Sequence, residues 1–185
     1  MKTVSLVILV LTLSACSTIN KTTRISTTLQ SKQFNSVASD YMDRPTFASI
    51  EETSDGETLL AVSMDTYGSY ESSLRFSKTN VDGYISLIDK YSKWEDLAKS
   101  RKDAFTKEIG SVNTWGNGPQ GTLKFIFHSG NEHSHYLSIT YCAAGTCLDD
   151  YSLYFDDVNA KALKSILSDL KVEKIHHANI NDIYN

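Results

Sequence analysis

The chain has 185 residues and a mass of 20.6 kDa, enough for one domain or two small ones. At 41% hydrophobic and 10% aromatic it is not a disordered chain, and three cysteines, two prolines and nine glycines exclude a disulfide-dense mini-scaffold and a collagen. Eighteen Lys and Arg stand against 22 Asp and Glu, a net charge of −4, so no nucleic-acid partner is expected, because sequence-independent binding needs a basic surface.

Residues 1–16 read MKTVSLVILVLTLSAC. Lys2 supplies a basic start, and Val4 to Leu13 is an apolar run of about ten residues, the length of a signal-peptide core and too short to span a bilayer. The run ends in Leu13-Ser14-Ala15-Cys16, which resembles the lipobox of bacterial lipoproteins: a branched apolar residue, two small residues, then Cys. The resemblance implies that residues 1–15 are a removed signal peptide and that Cys16 carries the lipid, two or three acyl chains giving stable membrane anchoring. Ser17 is not Asp, a pattern that in such proteins implies the outer membrane, with the domain in the periplasm or at the surface. The implied localisation is the bacterial cell envelope, and the implied first partner is the membrane itself.

Residues 16–45 hold the lipidated cysteine and a Ser/Thr-rich stretch with scattered apolar positions, expected as a flexible tether. Its 29 residues after Cys16 would span about 30 Å as a coil and roughly 100 Å extended. The alternative is an edge strand over Arg24 to Leu29.

A single α+β domain is expected over residues 46–185. Thr46 to Glu52 alternates weakly, Asp55-Gly56 marks a hairpin turn, and Thr58 to Thr66 and Tyr70 to Phe76 read as strands. Thr79 or Asn80 caps a helix whose apolar face holds Tyr84, Ile85, Ile88, Tyr91, Trp94, Leu97 and Ala98, ending near Lys102. Phe105 to Thr114, Thr122 to His128, His135 to Cys142 and Cys147 to Phe155 are four further strands. Asp156 or Asp157 then caps a last helix striped by Val158, Ala162, Leu163, Ile166, Leu167 and Leu170. The expected order is βββαββββα, a largely antiparallel sheet of about seven strands with two amphipathic helices packed on it.

Cys142 and Cys147 flank a four-residue turn, and in an exported chain such a pair is expected as a disulfide across a hairpin base. Their spacing is not Cys-x-x-Cys, so a redox pair is not expected. His128, His133 and His135 bracket one hairpin and could hold Zn²⁺ or Cu²⁺ if His128 lay across from His135. His176-His177 is a weaker pair of the same kind. Gly116 to Gly121 matches G-x-G-x-x-G in letters, but Pro119 interrupts it and a strand follows, which removes the helix N-terminus that pyrophosphate needs. Asp149, Asp150, Asp156 and Asp157 fit no calcium loop and read as turn and cap residues. No G-x-S-x-G, H-E-x-x-H or S-x-x-K occurs, so no catalytic residue and no cofactor are named. Tyrosine is abundant; Tyr67 and Tyr70 beside Gly68 are the expected exposed interaction patch. The expected function is a non-enzymatic envelope lipoprotein that binds a protein or another envelope component. The alternatives are a metal-binding lipoprotein using the His hairpin, and an envelope hydrolase.

Overall fold

The computed structural model describes residues 17–66, 71–117 and 120–175. Cys16, Tyr67, Tyr70, His176 and His177 lie outside the described residues. The fold is α+β, as the pattern predicts, but the described residues form eleven strands in two sheets rather than about seven in one.

The smaller sheet contains β1 (Ile19–Ile25), β4 (Thr46–Thr53), β5 (Thr58–Asp65) and β6 (Glu71–Ser77), in the order β1-β4-β5-β6, all antiparallel. Asp55-Gly56 makes the β4–β5 turn, with Gly56 at φ 86, the left-handed region that glycine enters without a Cβ clash. Ile50, Leu60, Val62, Leu74 and Phe76 alternate onto the inner face and are buried.

The larger sheet runs β3-β2-β11-β9-β8-β7, from β2 (Ser31–Asn35), β3 (Asp40–Arg44), β7 (Thr106–Thr114), β8 (Gly121–Ser129), β9 (His135–Ala143) and β11 (Leu153–Phe155), with the two-residue β10 (Thr146–Cys147) paired to β9. Leu123, Phe125 and Phe127 on β8 and Leu137 and Ile139 on β9 form its buried face. A bulge between Glu108 and Gly110 turns Ile109 into the core.

Two helices cover that face. Helix α1 (Val81–Arg101) ends where Lys102 takes a left-handed conformation and its N–H returns to the Ala98 carbonyl. Helix α2 (Asp157–Lys171) starts at Asp156, whose carboxylate accepts from the Asn159 N–H at 2.9 Å, the expected cap. One core joins both sheets and both helices. Tyr84 of α1 is its link, edge-on to Phe76 of the smaller sheet and stacked on Phe125 of the larger.

Four expectations are corrected. Residues 19–44 are not a loose tether but carry three strands, with Leu29 and Ser31 fully buried; of the alternative strand over Arg24 to Leu29, only Arg24 and Ile25 are in a strand, the end of β1. Neither Thr79 nor Asn80 caps α1 through its side chain; a 3-10 turn (Lys78–Asn80) leads into it instead. Cys147 to Phe155 is broken by a second 3-10 turn (Asp149–Tyr151). Between the pairs Cys147↔Cys142 and Leu153↔Ile139 the chain spends six residues against three on β9, and the turn absorbs the surplus, delivering Leu153 to the core. The apolar stripes hold, with Tyr84, Ile88, Tyr91, Leu163, Leu167 and Leu170 buried, except at their margins, where Leu97 and Val158 face solvent and Glu95 is buried.

Candidate functional site

The expected disulfide is present: Cys142 and Cys147 are bonded across the base of the β9–β10 hairpin. The three histidines are not brought together. Register pairs His128 with Tyr136 and Ser129 with His135, so His128 and His135 project from opposite faces of the sheet. His128 has both ring nitrogens engaged, Nε2 with the Tyr41 hydroxyl and Nδ1 with the Thr106 hydroxyl, each at 2.9 Å. Burial pushes its pKa down, favouring the neutral ring. His133 sits exposed in the turn, 3.0 Å from the Glu132 carboxylate. Among the described residues no group of three His, Cys, Asp or Glu side chains is placed to hold a metal ion.

The Tyr41–His128 contact exposes the shape of the larger sheet. Tyr41 lies on β3, and β2, β11 and β9 separate that strand from β8. The sheet therefore curls until its edge strand lies over its own outer face. There Tyr41 packs on Tyr136, Tyr154, Phe34 and His128, with ring centroids 4.4–5.6 Å apart.

His135 belongs to a polar cavity of about 390 Å³ between α1, the start of α2 and the start of β9. The Glu95 carboxylate reaches Lys99 at 2.6 Å, and Lys161 holds Asp157 at 2.7 Å. Burial raises the Glu95 pKa, and the neighbouring Asp157 carboxylate adds to the rise against the opposing Lys99 contact. Nε2 of His135 and Oδ1 of Asp157 are buried there without a hydrogen-bond partner. The first turn of α2 needs Asp156 and Asp157 near its N–H groups, which accounts for the carboxylates.

A second cavity, about 360 Å³, opens along β6, the free edge of the smaller sheet. Two latches close the ends of that edge. The Thr114 hydroxyl donates to the Arg75 carbonyl at 2.5 Å, and the Ser72 hydroxyl donates to the Tyr151 carbonyl. Between them the floor is Ser73 and Leu74, and the walls are Trp115, Tyr141, Leu148 and Tyr151. The Tyr141 ring lies against Gly121, where an added Cβ would stand 2.2 Å from it. Leu148 is placed by its N–H, which donates to the Tyr141 carbonyl at 2.9 Å just beyond the disulfide. Among the described lining residues Arg75 alone is charged, and Glu51 holds it with two contacts of 2.6 and 3.3 Å, so the lining presents rings rather than net charge. The guanidinium also sits 5.5 Å from the Trp115 ring centre. The Trp115 indole N–H donates to the Ser17 hydroxyl at 3.3 Å, which in turn donates to Asp55 at 2.7 Å.

None of these cleft residues is singled out by the sequence. They come from β6, the end of β7, β9 and the second 3-10 turn, and only the surplus of tyrosines hinted at Tyr141 and Tyr151. Comparison with family models, with curated proteins and with solved structures finds no match to the chain. Among the described residues no helix is long and apolar enough to cross a membrane.

Proposed function

We propose that the protein is a lipoprotein of the bacterial envelope, anchored through Cys16 and sorted to the outer membrane, whose domain is a non-enzymatic binding module. The observation that carries the binding reading is the cleft along β6: open, walled by Trp115, Tyr141 and Tyr151, and with its single cation already neutralised by Glu51. Aromatic walls around a few polar groups suit recognition of an uncharged or amphipathic partner. The lipobox supports the anchor.

Two measurements test this. Intact mass of the envelope-purified protein should show removal of residues 1–15 and a lipid adduct that Cys16→Ala abolishes; an unmodified Cys16 refutes the anchor. A photo-crosslinking side chain at Tyr151 should capture a defined envelope component, while the same probe at Val158, exposed on α2, captures none. Equal capture from both positions, or turnover of a defined substrate by the purified domain, refutes the binding module.

A further inference from the structure

We infer that the cleft face lies directly on the bilayer, with Trp115, Leu148 and Tyr151 in the headgroup layer, so that the partner of this surface is the lipid itself. The inference rests on the proposed lipidation of Cys16. It starts from the absence of slack after that residue. Ser17 already donates to Asp55 at 2.7 Å and accepts from the Trp115 indole, while the Thr18 N–H donates to the Ser54 hydroxyl at 3.0 Å and the Thr18 carbonyl accepts from the Ser54 N–H at 2.8 Å. Ile19 then enters β1. Cys16 is one peptide bond from Ser17, so covalent geometry at full extension keeps its sulfur within about 12 Å of the Trp115 indole nitrogen. A free 29-residue tether would let the domain stand about 30 Å off the membrane in any orientation. A chain pinned at Ser17 holds one face down.

The side chains on that face match the place. Tryptophan and tyrosine prefer the membrane–water interface, where the ring meets apolar chains and the N–H or O–H meets water and headgroups. Leu148 is 47% exposed and Tyr151 37% exposed, beside Trp115 on the cleft rim. Ion pairing with Glu51 offsets the charge of Arg75, so this residue does not demand water as a bare guanidinium would. Asp149 and Asp150 are exposed next to the rim and would oppose an anionic surface. The lipid is therefore expected to be zwitterionic, and binding to depend little on salt.

The chain has two tryptophans, and they report on opposite ends. Trp115 is held near the start of α1, its backbone N–H donating to the Ser77 hydroxyl at 3.0 Å. Trp94 lies thirteen residues beyond Val81, about 20 Å further along that helix. The lipidated full mature chain is reconstituted into phosphatidylcholine vesicles with bromines on the acyl chains near the headgroup. Two single-tryptophan forms are compared, Trp94→Phe and Trp115→Phe. Trp115 emission is expected to shift to the blue and lose about half its intensity, while Trp94 emission is nearly unchanged, because bromine quenches only at close range and aromatic belts sit at that depth. Leu148→Asp, an exposed position that leaves the core intact, is expected to lower Trp115 quenching about twofold with the anchor still in place.

A protein shown by mass to be lipidated whose Trp115 is quenched no more than Trp94 overturns the inference and leaves the anchor standing. So does Trp115 quenching insensitive to Leu148→Asp. Absence of lipid on Cys16 overturns the anchor and the inference with it. Capture of an envelope protein, and not lipid, by a photo-crosslinker placed at Tyr151 in the lipidated chain assigns the face to a protein partner and overturns the lipid assignment.

Discussion

Tyr84 gives the sharpest test of how the two sheets are joined. It is fully buried, its hydroxyl donates to the Asn113 carbonyl at 2.6 Å, and it accepts from the Ser77 N–H at 3.3 Å. Those partners end β7 and β6, so one phenol oxygen ties α1 to both sheets. Tyr84→Phe keeps the ring and its contacts with Phe76 and Phe125 but strands a backbone donor and acceptor. With about 1.5 kcal/mol for each bond lost and left without a partner, the loss is about 3 kcal/mol. Tyr91 is the internal control: it is equally buried on the same helix, but its hydroxyl makes one bond, to the His135 carbonyl at 3.1 Å. Tyr91→Phe should therefore lose about half as much, about 1.5 kcal/mol. Urea unfolding should show both as lower midpoints with unchanged slope, and thermal melts as drops of about 9 and 4 °C for a domain of this size. Equal losses for the two variants, or a loss below about 1 kcal/mol for Tyr84→Phe, would refute the link.

Glu95 makes a pH prediction. Burial raises its pKa above the usual carboxylate value, so the folded state holds this proton more tightly than the unfolded state; the stability from this group is fully present at acid pH and is lost as pH rises through the raised value. Glu95→Gln cannot ionise, so its stability relative to wild type should climb across that range in urea midpoints taken from pH 4 upward; a pH-independent difference would contradict the assignment. Asp156, whose pKa is lowered by the Asn159 hydrogen bonds and Lys32 against the opposing effect of burial, runs the other way and cancels in the comparison. Asp156→Ala should lower stability by about 1 kcal/mol in thermal melts, since α2 loses its N-cap. Reduction of Cys142–Cys147 should remove about 2 kcal/mol by loop-closure entropy, measured as the shift in urea midpoint between oxidised and reduced protein.

Much of the fold was legible where one physical signal acts alone. On β8 and β9, Leu123, Phe125 and Phe127 and then Leu137 and Ile139 alternate because one face is buried, and both strands are predicted within a residue or two. Asp156 announces α2 because a carboxylate before an amphipathic run has few other uses. The N-terminal strands were hidden for the opposite reason. β1 and β3 are edge strands with mostly polar residues, and Leu29 is buried by what packs over it, not by any local period. The His hairpin failed by a single step of register, which reverses every side chain. The cleft was out of reach altogether, since Arg75, Trp115, Tyr141 and Tyr151 meet only through tertiary packing.

The path of the chain between the sheets also bears on how it folds. It enters the smaller sheet with β1, leaves for the larger with β2 and β3, returns for β4 to β6, and leaves again. Lys32 waits for Tyr154, and the Gln30 N–H for the Asn159 side chain, 129 positions on. The smaller sheet can close its ladder within residues 19–77, and β2 can pair with β3, but the other side of β2 has no partner until β11 is made. Contacts of such long range slow folding, so during synthesis that side of β2 stays open until nearly the last residues are added.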